Sequence, residues 1–292
     1  MAAPVFRFAP SPNGELHLGH AYSALLNLKM ARETDGKILL RIEDIDITRC
    51  TQELEKQMLE DLEWIGFEWD EPPRRQSENL SDYRDALLEL ERNGLIYPSL
   101  MSRAEIRAQI AELESNQTVW PRDPDGSPIY PGNEREKLPI DRPLLESTLG
   151  KFNIRLDVET AMLLSGTELN WQESGAGPRG ETGETPADPK QWGDVILARK
   201  DTPTSYHLAC VVDDELQGIT HIVRGQDLFY ATAIHRLLQY VLDLPEPIYH
   251  HHALVLDTGG QKLSKSRHDT SLRQLRESGI SVKELKDLIK LP

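Results

Sequence analysis

The chain has 292 residues, of which 38% are hydrophobic and 28% are charged, so it can bury a large core in one domain with an insertion or in two domains. Its formal net charge of −15 argues against a general nucleic-acid coat protein and against binding to an anionic membrane surface, although a local basic face could still hold RNA. The two cysteines, Cys50 and Cys210, provide neither a disulfide framework nor a metal-ligand spacing.

The first predicted unit is a strand at 5–8, a loop that contains proline and glycine, and a helix at 16–34. His17 and His20 stand at the start of this helix, where backbone N–H groups and the helix dipole attract phosphate. Gly19 leaves room for a flat ring to lie against the backbone. One histidine alone would be interpreted as a polar surface residue, but this pair on this turn predicts a nucleotide site.

A buried strand at 37–43 follows the helix and completes a right-handed βαβ unit. Ligands bind beyond the carboxyl ends of such strands, and Glu43, Asp44 and Asp46 stand at this end. A solvated acidic loop, or a cap formed by Asp44, would also explain these residues. A Mg²⁺ site is disfavoured because all its ligands would come from one short loop. We favour Glu43 as the group that holds a substrate ammonium.

The hydrophobic pattern predicts further helices and strands along the rest of the chain. Helices are expected at 51–65, 81–92, 102–114, 228–242, 272–277 and 281–290, and strands at 152–158, 193–199, 206–212, 219–224 and 248–256. Proline and glycine crowd the segment 115–190, in which the run 173–189 is typical of a mobile surface loop. The three histidines at 250–252 alternate between two strand faces, so we interpret them as structural.

The predicted fold class is α/β, a Rossmann-like parallel sheet interrupted by a small inserted subdomain. We expect the first half of the catalytic domain at 1–98, a loop-rich insertion at 99–190, the second half at 191–268 and a short helical C-terminal segment at 269–292. The sequence has no apolar run of transmembrane length and no signal-peptide pattern at its start. A cytoplasmic protein without a membrane partner is therefore expected.

The loop at 257–266 carries two glycines and two lysines, Lys262 and Lys265. Most runs of this kind are solvated charged loops. Beside a nucleotide-type helix start, however, a pliable loop with two lysines is what a leaving pyrophosphate requires. We therefore predict that Lys262 and Lys265 act together with His17 and His20.

Five motifs occur in an order that resembles the glutamyl branch of the class I aminoacyl-tRNA synthetases. They are Arg7-Phe-Ala-Pro-Ser-Pro, His17-Leu-Gly-His20, Arg41-Ile-Glu-Asp, Val223-Arg-Gly-Gln-Asp-Leu and Lys262-Leu-Ser-Lys-Ser266. The last motif corresponds to the mobile KMSKS loop of that family, with Leu in place of Met. The resemblance covers the chain apart from the glycine- and proline-rich part of the insertion. It implies a class I catalytic fold and the activation of L-glutamate by ATP, with Mg²⁺ arriving on the nucleotide.

The resemblance also implies which residues contact the substrates. It assigns glutamate to Arg7, Ala9, Ser11, Glu43, Tyr206 and Arg224, and ATP to His17, Gly19, His20 and Lys265. A guanidinium can fork onto a carboxylate of glutamate, and a glutamate side chain can hold the ammonium. Either arginine alone could equally form a surface ion pair.

Many relatives bind zinc in the insertion through Cys-x-Cys and Tyr-x-x-x-Cys. The matching positions here are Ser99, Met101, Tyr130 and Glu134. Because this set lacks a thiolate, we predict no structural zinc, and the insertion must be stabilised by packing alone.

Full-length members of the family continue into a helical anticodon-binding domain, whereas this chain ends at Pro292, soon after the lysine loop. It resembles a truncated branch that forms glutamyl-adenylate without tRNA and transfers glutamate to queuosine in tRNA(Asp). A monomer with the partners L-glutamate, ATP and tRNA(Asp) is then expected. The alternatives are a synthetase that charges a tRNA 3′ end with a separate anticodon-binding partner, and a nucleotidyltransferase for a small metabolite. A catalytically inactive binding module is disfavoured by intact His17, His20 and Lys265.

Overall fold

The computed structural model describes residues 3–115, 119–132, 144–166, 168–255 and 270–291. The strands are β1 Val5–Phe8, β2 Lys37–Ile42, β3 Arg74–Arg75, β4 Ile96–Ser99, β5 Asn153–Leu156, β6 Asn170–Glu173, β7 Gly183–Pro186, β8 Ile196–Ala198, β9 His221–Gly225 and β10 Ile248–His252. The helices are α1 Leu18–Glu33, α2 Gln52–Trp64, α3 Leu80–Arg92, α4 Arg103–Ser115, α5 Leu144–Thr148, α6 Val158–Ser165, α7 Tyr206–Leu216, α8 Thr232–Val241, α9 Leu272–Glu277 and α10 Val282–Ile289. No helix in these ranges is both long enough and apolar enough to cross a membrane.

The main sheet has seven strands within the described part of the chain, in the order β3-β2-β1-β9-β10-β6-β7. All neighbours are parallel except β6 and β7, which form an antiparallel hairpin. The predicted α/β fold with a mostly parallel sheet is thus confirmed. Because the chain leaves β1 towards β2 on one side and reaches β9 on the other, a crevice is expected at the carboxyl ends of β1 and β9.

The first βαβ unit forms because its two strands and its helix bury apolar side chains in one shared cluster. Ala24, Leu25 and Leu28 on α1 are buried in one cluster with Phe6 of β1 and Leu40 of β2. Each fully buried leucine or phenylalanine contributes roughly 1.5–3 kcal/mol of transfer free energy. This packing holds the start of α1 directly after the loop that follows β1.

A second, antiparallel sheet of three strands has the order β4-β5-β8. Two of the four positions considered for zinc lie beside it. Ser99 is buried at the end of β4, and the Tyr130 ring lies 3.7 Å from Cζ of Arg155 in β5. Arg155 Nη1 also donates to the Asp194 carbonyl at 2.5 Å. A cation–π contact and hydrogen bonds therefore stabilise this region; Glu134 lies outside the described residues.

The prediction of a strand at 206–212 is wrong, since these residues form the first turns of α7. Leu208, Ala209, Val211 and Val212 are all buried, and a helix that is apolar on several sides has no clear helical period. A short buried apolar run cannot be assigned to strand or helix from periodicity alone. The helix places Asp214 four residues after Cys210, where its carboxylate accepts from Arg7 of β1 and Arg41 of β2.

The interpretation of 173–189 as a mobile surface loop is wrong for Glu173 and for Gly183–Pro186, which are strand residues, whereas 174–182 connects the two strands. The run includes β7 and begins at the last residue of β6, and this hairpin adds two strands to the main sheet. Tyr249 of β10 pairs with Glu173 of β6, and the polar, glycine-rich composition conceals that pairing. The hairpin falls inside the segment 99–190, whose boundaries stay a prediction.

Candidate functional site

A cavity of about 530 Å³ opens at the carboxyl ends of the central parallel strands, where the strand order predicts a crevice. All described members of the predicted site line it: Arg7, Ala9, Ser11, His17, Gly19, His20, Glu43, Tyr206 and Arg224. Lys262 and Lys265 lie outside the described residues. A wider groove of about 980 Å³ runs along α2 between several glutamates, including Glu55, Glu60 and Glu63. None of the predicted site residues lines that groove.

The histidine pair forms a reciprocal cap on α1. His17 Nδ1 accepts from the Gly19 N–H at 3.1 Å, and His20 Nδ1 accepts from the His17 N–H at 3.1 Å. Since both Nδ1 atoms are acceptors, each neutral imidazole carries its proton on Nε2. Two backbone N–H groups of the helix start are thereby occupied by the side chains. The imidazole Nε2–H groups, rather than these two backbone groups, are therefore the predicted donors to a phosphate.

Gly19 lies in close contact with the ring of His17 in this cap. A Cβ at this position would lie 3.0 Å from Cε1 of His17, closer than an ordinary van der Waals contact. Gly19 therefore leaves room for the ring of His17, and room for the ring of a ligand stays a prediction.

Arg7 lies in β1 and is 4% exposed. Its Nε donates to Asp214 Oδ1 at 3.0 Å, and its Nη2 lies 3.8 Å from Cys210 Sγ. Arg41 Nη1 donates to the same Asp214 oxygen at 2.7 Å. Burial alone would raise the pKa of Asp214, but the charges of Arg41 and Arg7 lower it to about 2. Asp214 thus bonds to Arg7 only at Nε. The terminal nitrogens of Arg7 make no hydrogen bond to a charged group within the described residues.

Arg224 lies in β9, is 5% exposed and is held quite differently. Its five N–H groups meet neutral acceptors: His251 Nε2 at 3.1 Å, Tyr206 Oη at 3.3 Å, His235 Nδ1 at 3.2 Å, the Leu228 carbonyl at 3.2 Å and Thr232 Oγ1 at 2.7 Å. No carboxylate of the described residues forms an ion pair with it. The two contacts of Nη1 are among the longest, so a carboxylate in the cavity can compete for this nitrogen.

Of the three acidic residues after β2, only Glu43 lies in the cavity, and Asp44 and Asp46 form hydrogen bonds elsewhere. Asp44 accepts from the Ser77 backbone N–H at 2.8 Å and from its hydroxyl at 2.6 Å, and Asp46 accepts from the Thr48 hydroxyl at 2.6 Å. Glu43 alone of the three lines the cavity, with a side chain that is 12% exposed and 3.4 Å from Arg41 Nη2. Burial raises the pKa of Glu43, against the lowering effect of Arg41 and Arg7.

Glu43 predicts a pH dependence for amino-acid binding. If its carboxylate holds the substrate ammonium, KM for glutamate should rise as pH is lowered from 7.5 towards 5, because a raised pKa means earlier protonation and loss of the binding charge. We expect Glu43→Gln to have a KM about tenfold higher at pH 7.5 and nearly constant with pH. Steady-state ATP–pyrophosphate exchange measures both. KM for ATP, followed over the same range, is the control, and a pH-dependent glutamate KM in Glu43→Gln would assign the titration to another group.

Sequence reasoning missed the buried charges behind the cavity. Asp213 accepts from the Tyr83 hydroxyl at 2.9 Å, from Gln76 Nε2 at 2.8 Å and from Arg74 Nε at 2.7 Å, while Asp214 pairs with the two arginines described above. In the sequence, Asp213 and Asp214 directly follow the apolar run 206–212. Because this run is predicted to be a strand, the two aspartates are placed after its end and outside the core.

His252 and Asp227 also line the cavity without having been predicted to do so. His252 ends β10, its ring centroid is 4.8 Å from that of Tyr22, and its Nδ1 lies 2.9 Å from the Ala253 carbonyl. The rule that identified Glu43, a polar residue at the carboxyl end of a parallel strand, applies equally to His252.

Comparison with known proteins agrees with this geometry. The family of class I tRNA synthetases (E and Q), catalytic domain, matches residues 5–138 and 181–289. A glutamyl-Q tRNA(Asp) synthetase of Rhodobacter capsulatus is 44% identical over 98% of this chain and 100% of its own length, and one of Symbiobacterium thermophilum is 37% identical over 94% and 82%. The glutamate–tRNA synthetase of Elizabethkingia anophelis superposes with a TM-score of 0.71 at 27% identity, and this chain, 96% of which is covered, spans about half (54%) of it. The chain therefore belongs to the class I tRNA synthetases of the glutamate and glutamine type.

Proposed function

We propose that the protein activates L-glutamate with ATP and transfers the glutamyl group to queuosine in tRNA(Asp). The observation that carries the proposal is one cavity that joins two differently held arginines, Arg7 and Arg224, with Glu43 and the histidine pair. Two cations suit the two carboxylates of glutamate, and an anion suits its ammonium. The match over the whole length of a glutamyl-Q tRNA(Asp) synthetase supports the choice of acceptor.

In the first step the α-carboxylate of glutamate attacks the α-phosphorus of ATP in line, and pyrophosphate leaves with the bridging oxygen. Negative charge grows on phosphate oxygens, so the protein's contribution is positioning and electrostatic stabilisation. The Nε2–H groups of His17 and His20 donate to the phosphates, and Lys262 and Lys265 follow the leaving group. Mg²⁺ would arrive with ATP and would neutralise charge on the phosphates, while the protein's own groups position them.

In the second step a hydroxyl of queuosine attacks the activated carbonyl carbon. AMP leaves with the carbonyl–phosphate oxygen, and the hydroxyl proton passes to a phosphate oxygen of the adenylate. The protein has only to hold the acceptor hydroxyl against the carbonyl, which is a matter of proximity and orientation.

The test is to incubate the protein with radiolabelled glutamate, ATP and total tRNA from strains with and without queuosine. We expect label in the queuosine-containing tRNA alone. Label in tRNA that lacks queuosine would instead support charging of a 3′ end. Periodate destroys both candidate diols, so it is informative only with purified tRNA(Asp) that carries one of the two. ATP–pyrophosphate exchange that does not depend on glutamate would support a nucleotidyltransferase for another metabolite.

A further inference from the structure

Three neighbouring strands bring a carboxylate, an imidazole and the Arg224 guanidinium into one row beneath the cavity. In the sheet, Tyr249 of β10 pairs with Glu173 of β6, and His251 of β10 pairs with Arg224 of β9. The row is therefore set by strand register, not by flexible loops. None of the predicted functions of the chain uses Glu173 or His251.

Glu173 is a buried anion, 1% exposed. Its Oε1 accepts from the backbone N–H groups of Gly175 at 2.9 Å and His251 at 2.8 Å, and its Oε2 accepts from His251 Nδ1 at 2.5 Å and Trp171 Nε1 at 3.3 Å. Four donors around one carboxylate stabilise its ionised form. Burial alone would raise the pKa of Glu173, but the hydrogen bonds from His251 and Gly175 outweigh burial and lower it.

The charge on Glu173 decides the tautomer of His251. Because Nδ1 donates to the carboxylate, Nε2 carries no proton and accepts from Arg224 Nε at 3.1 Å. Burial, helped by the charge of Arg224 and opposed by the Glu173 hydrogen bond, lowers the pKa of His251 to about 4, so the ring is neutral. Tyr249 stacks parallel to the ring and Phe229 meets it edge-on, which fixes its orientation.

Holding an arginine through an imidazole differs from holding it by a carboxylate. Arg41 and Arg7 contact Asp214 directly and share its charge. The Glu173 carboxylate reaches Arg224 only through the ring of His251. The positive charge of Arg224 has no carboxylate partner among the described residues. Such a guanidinium is oriented yet keeps its attraction for a carboxylate that enters the cavity. In metal sites, a carboxylate similarly fixes the tautomer and orientation of a ligating histidine.

We propose that Glu173 and His251 are positioning residues that hold Arg224 ready to receive a carboxylate of the amino-acid substrate. This inference rests on the proposed activation of glutamate. The role of Glu173 is to keep the proton of His251 on Nδ1. With the proton on Nε2, the imidazole would point a donor at Arg224 Nε–H and displace the guanidinium.

Glu173→Gln tests the charge without changing the size of the side chain. In ATP–pyrophosphate exchange we expect KM for glutamate to rise about 10- to 100-fold, the usual effect of losing such a supporting contact, with KM for ATP and kcat within about threefold of the parent protein. Histidine ¹⁵N NMR should show the Nδ1–H form of His251 in the parent and a shift towards Nε2–H in the variant. The matched control is His250→Ala on the same strand, whose ring contacts Ser174; its KM for glutamate should not change.

A second pair of variants applies if Glu173→Gln does not fold. His251→Gln keeps an amide oxygen that can accept from Arg224 without help from Glu173, whereas His251→Leu removes the acceptor. We expect a KM for glutamate at least fivefold lower in His251→Gln than in His251→Leu. Equal values, or an unchanged KM in a folded Glu173→Gln with an active parent, would overturn the inference and leave the proposed function standing. A parent without glutamate-dependent exchange would overturn both.

Discussion

Replacing Arg224 with glutamine is expected to reduce kcat/KM for glutamate by about a hundredfold in ATP–pyrophosphate exchange. If Arg224 holds a substrate carboxylate as proposed, the variant loses a charge-assisted hydrogen bond in a buried site, which is worth about 3 kcal/mol. Most of the loss should fall on KM, since the carboxylate is held before and during the reaction. KM for ATP should change by less than threefold, because the nucleotide is predicted to bind at the histidine pair.

Arg179→Gln is the matched control for the loss of a guanidinium. Arg179 pairs with Glu181 at the surface hairpin, and its side chain is 78% exposed, so an effect within twofold is expected. Because Arg224 contacts only neutral groups, its removal leaves no direct carboxylate partner unpaired, and Arg224→Gln should fold. A folded variant that retains glutamate activation within threefold would contradict the role of Arg224 in substrate binding.

Local pattern and one topological rule were enough to locate the cavity from the sequence. The strand, the proline–glycine loop and the helix start are all encoded within the first twenty residues, and His17 caps α1. Glu43 and Arg224 stand at or near the carboxyl ends of parallel strands, where a doubly wound sheet binds its ligands. Placement in the cavity agrees with the predicted roles, which stay predictions until the variants are measured.

What the sequence could not predict depends on contacts between distant segments. Asp214 belongs to the site only because α7 is a helix that turns its carboxylate onto Arg7 and Arg41, 207 and 173 residues away in the chain. The run 208–212 is buried on all sides and has no amphipathic period, so helix and strand could not be told apart there.

The strand pairing of Glu173 is a second contact between distant segments that the sequence did not predict. Its neighbours Ser174, Gly175 and Gly177 have the composition of a loop, and the hairpin is recognisable as two strands only through its partner β10. Backbone N–H groups of Gly175 and His251 then surround the carboxylate. Composition reports the preference of a segment in isolation, and tertiary pairing overrides it.

Arg41→Gln should have the largest effect on stability. Arg41 is fully buried, and its guanidinium pairs with Asp214 at 2.7 Å, Glu43 at 3.4 Å and Asp213 at 3.8 Å. Removing one partner of a buried ion pair leaves uncompensated charge and typically costs about 3–5 kcal/mol. For a chain of this size we expect the midpoint of thermal unfolding to fall by roughly 10 °C at pH 7. Differential scanning calorimetry measures the change.

Comparing Arg41→Gln with Arg7→Gln separates an effect on fold stability from an effect on substrate binding. Arg7 has one carboxylate partner, Asp214, whereas Arg41 has three, so Arg7→Gln should destabilise the fold less than Arg41→Gln while it weakens glutamate binding. The low pKa of Asp214 means that its ion pairs stabilise the folded state above the ordinary pKa of an aspartate, and that this stabilisation is lost as pH falls towards about 2. In Arg41→Gln, Asp214 and Asp213 keep one arginine each, and Glu43 keeps no ion pair within the described residues. These carboxylates then take up protons at higher pH than in the parent, so the difference in stability between variant and parent should narrow from pH 7 to pH 5. A gap that is constant over this range would mean that lost packing of the Arg41 side chain, and not its charge, destabilises the variant.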